Sequence, residues 1–259
     1  MSDINSQILS IIETSIKKGN TDIRAFSINL ISEIKKMIIS LENFKTLLEK
    51  NLSNKKIYFI RHAESLHNIL EEKYAYEELE KWNVYDPLLT EKGIEQTKYT
   101  IEKIKESGIN FESIFVSPLS RTIQTFFLIE NVLNKDAKII ITDFSREIVS
   151  SLDKNKGKKL SLLKEEFKNT KLNFEFMSKE FWWCDLNDNK KDEYEGDKFP
   201  LRLGIFALWL AFRNEKYILI ISHSHVYIDM QDEEGIENAD MVKMYNKYIF
   251  DNIIALMKS

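Results

Sequence analysis

"KIYFIRHAESLHNIL", residues 56–70, decides how the rest of the chain is read. Ile57, Tyr58, Phe59 and Ile60 form a short apolar run bounded by polar residues, as a buried strand does. That run leads directly into Arg61 and His62, with His67 and Asn68 close behind. The same texture recurs outward at "SIFV" (113–116), "KIIIT" (138–142) and "YILIIS" (217–222). Between these runs lie stretches with apolar residues at helical spacing, "TEKGIEQTKYTIEKIKESG" (90–108) and "SRTIQTFFLIENVLN" (120–134). Strands alternating with helices predict an α/β fold, a three-layer α/β/α sandwich with a mainly parallel central sheet.

Residues 1–54 read differently. Apolar positions recur there at three- and four-residue steps, interrupted at "KGNTD" (18–22), which predicts an N-terminal helical hairpin. We therefore divide the chain into a helical extension, 1–54, and an α/β domain, 55–259. The extension carries none of the chemically suggestive residues, so it is expected to be dispensable for chemistry. Its apolar stripes need a surface to cover, either the main body or a second copy in a homo-oligomer.

Composition narrows the function classes. At 30.6 kDa and 43% hydrophobic residues, the chain is large enough for one sizeable core. A net charge of −4 offers no basic field for nucleic acid or an acidic membrane. One cysteine, Cys184, excludes an internal disulfide and fits a reducing compartment. The N-terminus has no signal-peptide pattern, and "FPLRLGIFALWLAF" (199–212), interrupted by Arg202, is too short to span a membrane. A cytoplasmic protein is the expectation.

In parallel α/β sheets ligands bind beyond the carboxyl ends of the strands. Here those ends carry Arg61-His62, "SPLSR" (117–121), "SRE" (145–147) and "HSH" (223–225). Lysine is the default cation of this chain, and arginine occurs only at 24, 61, 121, 146, 202 and 213. An arginine kept in such a chain points to forked recognition of phosphate or carboxylate. Singly, each segment has an ordinary reading; "SPLSR", for example, reads as a helix start with Ser117 as N-cap and Pro118 at the first helical position. Together they supply the parts of phosphoryl transfer. A neutral imidazole is the nucleophile, Arg61 and Arg121 grip the phosphate, and the helix start adds its positive end. His223 beside a bound dianion is expected to keep its proton, and Glu147 there to have a raised pKa and act as general acid. No cofactor and no metal are expected. Asp185, Asp188 and Asp192 read as a solvated loop, and His223 and His225 would face opposite ways if the strand continued.

"RHAESLHN" (61–68), "DPLLTEKGIEQT" (86–97), "VSPLSRTIQT" (116–125), "REI" (146–148) and "IISHSHV" (220–226) then occur in a telling order. From about Lys55 to Met241 the chain resembles the histidine phosphatase superfamily, in its phosphoglycerate-mutase-like branch. The resemblance implies that His62 is the nucleophile, carrying a phospho-histidine. It implies phosphate binding by Arg61, Asn68, Arg121 and His223, and proton donation by Glu147. His67, next to Asn68, is similar to a feature of the fungal and plant broad-specificity phosphatases; it either shapes the pocket mouth or simply caps and packs. His225 departs from the glycine usual in the family. The Gly-Trp-x-Asp stretch of mutases is absent from "EELEKWNVYDPLLT" (77–90), although Trp82 and Asp86 are present, and no phytase-like Arg-x-Pro follows the first histidine. Segment 150–200 is expected to cover the pocket, with Phe181, Trp182 and Trp183 in core or lid. The expected function is a metal-independent phosphomonoesterase acting on a small phosphorylated substrate or a phosphoprotein. The alternatives are a phosphoglycerate mutase and an interaction protein that uses its helical extension.

Overall fold

The computed structural model describes residues 2–19, 22–74, 84–149, 153–177, 179–183 and 198–258. Cys184, Trp82, Asp185, Asp188, Asp192 and, within segment 150–200, residues 150–152, 178 and 184–197 lie outside them. The N-terminal region forms three helices, α1 (Ser2–Lys18), α2 (Ile23–Met37) and α3 (Leu41–Ser53). The expected hairpin is thus a three-helix unit. The second break falls at Ile38–Ser40, where the chain turns extended and the Ser40 side chain caps α3 through the Asn43 N–H at 3.1 Å. The Ser40 signal lies inside an apolar run with no glycine, so periodicity alone did not mark it.

Beyond it follow β1 (Lys56–Arg61), α4 (Leu66–Lys73), α5 (Glu91–Ser107), β2 (Ser113–Val116), α6 (Ser120–Ile129) and β3 (Lys138–Ile141). The chain continues through α7 (Leu160–Glu166), α8 (Lys198–Phe212), β4 (Tyr217–Ser222), α9 (Ser224–Gln231), β5 (Met241–Lys243) and α10 (Asn246–Lys258). Among the described residues the strands form one sheet in the order β3-β2-β4-β1-β5, parallel except for β5. The short edge strand β5 has too few residues to show a pattern in sequence.

Alternation along the strands makes the three layers. Ile57, Phe59, Ile218 and Ile220 join a cluster with α1, α2, α3, α8 and α10 on one face. Ile60, Ile114, Leu219 and Ile221 point to the other, under α5, α6 and α7. The most buried helix is α8, with nearly every side chain from Phe199 to Phe212 inside, as expected of a helix apolar all round. The N-terminal helices supply much of what covers it: Phe44 stacks on Phe212, and Glu13 accepts from Trp209 and Arg213. No helix among the described residues is long and apolar enough to cross a membrane.

Candidate active site

The parallel pairing of β1 with β4, and of β4 with β2, sets three strand ends side by side. Arg61 is in register with Ser222, and His62 N–H donates to the Ser222 carbonyl at 2.9 Å. Just past these ends the rings of His62 and His223 lie 5.1 Å apart, and those of His62 and His67 5.5 Å apart.

His62 Nδ1 is 2.8 Å from its neighbour's carbonyl, Ala63 O. A carbonyl only accepts, so Nδ1 carries the proton and Nε2 holds the lone pair. Arg121 Nε donates to that lone pair at 3.2 Å. Burial, then the Arg121 charge, pushes the His62 imidazole well below its usual range, so it is neutral at neutral pH. The backbone behind it is clamped by the segment "TEKGIEQ". Thr90 N–H donates to Glu64 O at 3.0 Å and its hydroxyl to the Glu64 carboxylate, while Gln96 accepts from Glu64 N–H at 2.9 Å. A side chain at Gly93 would put its Cβ 2.0 Å from Glu64 O, so only glycine permits the contact. The Thr-x-x-Gly-x-x-Gln spacing therefore places one helix face against the peptide that follows the nucleophile.

Arg121 lies in the first turn of α6, wholly buried. That helix starts at Ser120, with Leu119 in the N-cap position, so the expected start at Ser117 and Pro118 is corrected. Leu119 has no side-chain oxygen, and the cap comes from elsewhere. Asp86, 34 residues upstream and at φ +39°, accepts from Ser120 N–H at 2.9 Å and from its hydroxyl at 2.7 Å. Asp86 thus occupies the helix end that was expected to help hold an anion. Ser117 instead places its hydroxyl 2.8 Å from His223 Nε2. Burial lowers the Arg121 guanidinium to about 10, which still leaves it charged at neutral pH.

His223 is the N-cap residue of α9; the strand stops at Ser222, so strand alternation does not relate it to His225. Burial, then Arg121 and His62, pushes His223 well below the usual imidazole range. It is held neutral, and the expected protonated form requires the counter-charge of a bound dianion. His223 Nδ1 and Arg61 Nε are both buried without a hydrogen-bond partner, which is unusual for buried polar atoms. Arg61 NH1 donates to Ile236 O at 2.8 Å.

His67 and Asn68 sit at the start of α4 in one ring with Ser65. Asn68 Oδ1 accepts from Ser65 N–H at 3.0 Å, and His67 Nδ1 is 2.7 Å from Ser65 Oγ. Asn68 Nδ2 lies 3.3 Å from His67 Nε2. The Asn68 oxygen is committed to a capping box and one hydrogen of its amide nitrogen faces His67, leaving the second amide hydrogen for any phosphate.

Glu147 leaves the loop after β3, which Arg202 of α8 organises by donating to Phe144 O at 2.7 Å and Arg146 O at 3.0 Å. Its Oε1 accepts from Ile148 N–H at 2.8 Å, and its Oε2 is 3.4 Å from His225 Nδ1. Burial pushes the Glu147 carboxyl up, but His225, Ile148 N–H and Arg121 outweigh it and hold it below the usual carboxylate range. The expected raised pKa is therefore not a property of the carboxyl's protein surroundings. His225, mostly exposed, shifts the opposite way: its contact with Glu147 raises it. Trp182 is buried and donates to Lys158 O at 2.9 Å, a core position. Asp86 and the role of Arg202 were missed in sequence. The scarcity of arginine flagged Arg202, whereas nothing local to Asp86 marks it as a cap for Ser120.

The profile of the histidine phosphatase superfamily (branch 1) matches residues 57–227. No curated protein is a significant match. Among solved structures, the chain is similar to the ecdysone phosphate phosphatase from Bombix mori in complex with tungstate, at 14% identity and TM-score 0.50, covering 74% of this chain and 90% of that one. It is also similar to the alpha-ribazole phosphatase from Shigella flexneri (17% identity, TM-score 0.47, 73% and 89% covered). A third is the phosphoserine phosphatase from Entamoeba histolytica in complex with 3-phosphoglyceric acid (18% identity, TM-score 0.43, 73% and 89% covered).

Proposed function

From the premise that this chain belongs to the histidine phosphatase superfamily, we propose that it is a phosphomonoesterase working through a phospho-histidine on His62. One observation carries the reading: the His62 ring is held neutral, with its proton on Nδ1 and its only lone pair on Nε2, which accepts from the Arg121 guanidinium. A phosphate ester enters among Arg61, Arg121 and His223, whose buried Nδ1 awaits a partner. A phosphate oxygen takes the Arg121 Nε–H in place of Nε2; the freed lone pair attacks phosphorus while the ester P–O bond breaks, and Glu147 protonates the departing oxygen. The dianion's charge next to Glu147 offsets the groups that hold its carboxyl ionised, so the proton is present when needed. Water then attacks phosphorus, giving its proton to Glu147 and returning Nε2 its pair. The cations of this scheme are guanidinium groups, and it uses no metal ion. The proposal includes a cytoplasmic location and a small phosphorylated metabolite or phosphoprotein as substrate.

Leaving-group dependence tests the scheme. His62→Ala is expected to be inactive on alkyl and activated aryl phosphates alike. Glu147→Gln is expected to lose on the order of 10²–10⁴-fold in the first-turnover burst with alkyl phosphates, and far less with an activated aryl ester. Equal burst losses on both substrates would remove Glu147 from the proton-donor role. Unimpaired phosphate release by His62→Ala would remove the phospho-histidine. Turnover that disappears with a strong chelator and returns with added magnesium would overturn metal independence.

A further inference from the structure

Every nitrogen of the Arg121 guanidinium is engaged. Beyond its Nε contact to His62, NH1 donates to Lys154 O at 3.0 Å and NH2 to Asn155 Oδ1 at 2.9 Å. Asn155 ends a single 3₁₀ turn, Asp153–Asn155, and is buried. The other end of its side chain, Nδ2, donates to Ile148 O at 2.8 Å. The same Ile148 gives its N–H to Glu147. One planar amide therefore joins the guanidinium to Ile148, the residue whose N–H, one peptide earlier, grips the carboxylate.

We infer that Asn155 is a positioning residue of this site, fixing Arg121 against His62 and setting the Glu147 loop at a constant distance from that guanidinium. Its effect on turnover rests on the phosphoryl-transfer reading above; the contacts do not. The chemistry of the link singles out an amide. It must accept at one end and donate at the other, which a carboxylate or an aliphatic side chain cannot do. It must also be uncharged. A carboxylate against Arg121 would neutralise the charge an incoming anion is meant to meet. The turn is held from both sides. Lys154 pairs with Glu71 of α4, and Tyr85 donates to the Gly157 carbonyl. Gly157 lies so close to buried Trp182 that a Cβ there would fall 2.2 Å from the indole. A residue this firmly presented transmits its geometry to whatever it touches.

The test uses the full chain with Asn155→Ala and Asn155→Asp. Three quantities are read: thermal midpoint, calorimetric Kd for inorganic phosphate, and the ratio of first-turnover rates on an alkyl and an activated aryl phosphate. Asn155→Ala frees both Arg121 and the Ile148 carbonyl. It should raise the phosphate Kd about tenfold, the usual worth of a hydrogen bond to a charged group, and lower the alkyl-to-aryl ratio. Asn155→Asp, nearly isosteric, keeps an acceptor for Arg121 but opposes the anion, so its phosphate Kd should rise further. Folded variants with wild-type Kd and wild-type ratio would overturn the inference, even if their midpoints fell. Should the alanine variant not fold, an unchanged phosphate Kd in the aspartate variant overturns it equally. A wild-type chain that binds phosphate but releases none from esters would sink the phosphatase reading, while the Kd comparison still decides the role of Asn155. No phosphate binding by the wild type would sink both.

Discussion

His225 shows how one side chain tunes a neighbour. It lies 3.4 Å from Glu147 and, with Lys154 and Asp229 also acting on it, titrates above its ordinary value while Glu147 titrates below. In the proposed scheme Glu147 is the general acid and must be protonated, so kcat/KM on alkyl phosphates should fall as pH rises past the Glu147 pKa of the free enzyme. Replacing His225 by glycine removes the largest influence that lowers that pKa. The descending limb of the pH profile should therefore move to higher pH in His225→Gly. A limb that stays in place, or moves to lower pH, would show that His225 does not control the acid. His225 was visible in sequence as a departure from the family glycine, but its partner was not. Arg61, His62, Arg121, Glu147 and His223 were legible because strand ends announce them. Asp86 and Asn155 act through contacts 34 residues away in sequence, and neither sits in a local pattern that points to its partner.

At the scale of elements, the four parallel strands and the long amphipathic helices were legible from period and length. The N-terminal helices were legible as helices, while their relation to α8 was not, since it depends on which apolar faces meet. Phe44 is fully buried, stacked on Phe212 of α8, and belongs to the apolar cluster that α1, α2, α3, α8 and α10 form on one face of the sheet. Phe44→Ala should cost about 3–5 kcal/mol of stability, as large-to-small changes in cores do. Turnover per folded molecule should be unchanged. A loss below about 1 kcal/mol in chemical denaturation would mean the α3–α8 contact is dispensable. Deletion of residues 1–54 uncovers the same apolar surface of α8, so the expected outcome is loss of soluble protein rather than an intact enzyme. A soluble, active truncate would show that the extension is dispensable for folding as well as for chemistry.

For the whole molecule, three buried imidazoles make acid a destabilising condition. His62, His67 and His223 all have pKa values well below the usual 6.5, chiefly through burial and next through Arg121. Below pH 6.5 the unfolded chain takes up protons that the folded chain refuses, so stability falls as pH drops. The slope approaches about 1.4 kcal/mol per pH unit for each histidine, or about 4 for three. Glu147, also depressed, adds to the loss at lower pH, while raised His225 opposes it near neutrality. The thermal midpoint should therefore decline steadily from pH 7 to pH 5.5. A flat midpoint across that window would mean the three rings are not held neutral.

The strand order also has a consequence in time. Lys56 of β1 is in register with Tyr217 of β4, and between them the ribosome must add roughly 160 residues, which takes on the order of 10–30 s at ordinary rates of synthesis. During that interval α1, α2 and α3 have already emerged with their apolar stripes, while α8 has not. The nascent chain thus carries an uncovered greasy surface and an unpaired interior strand, β1, until synthesis is nearly finished, and its yield in a cell depends on what shields them meanwhile.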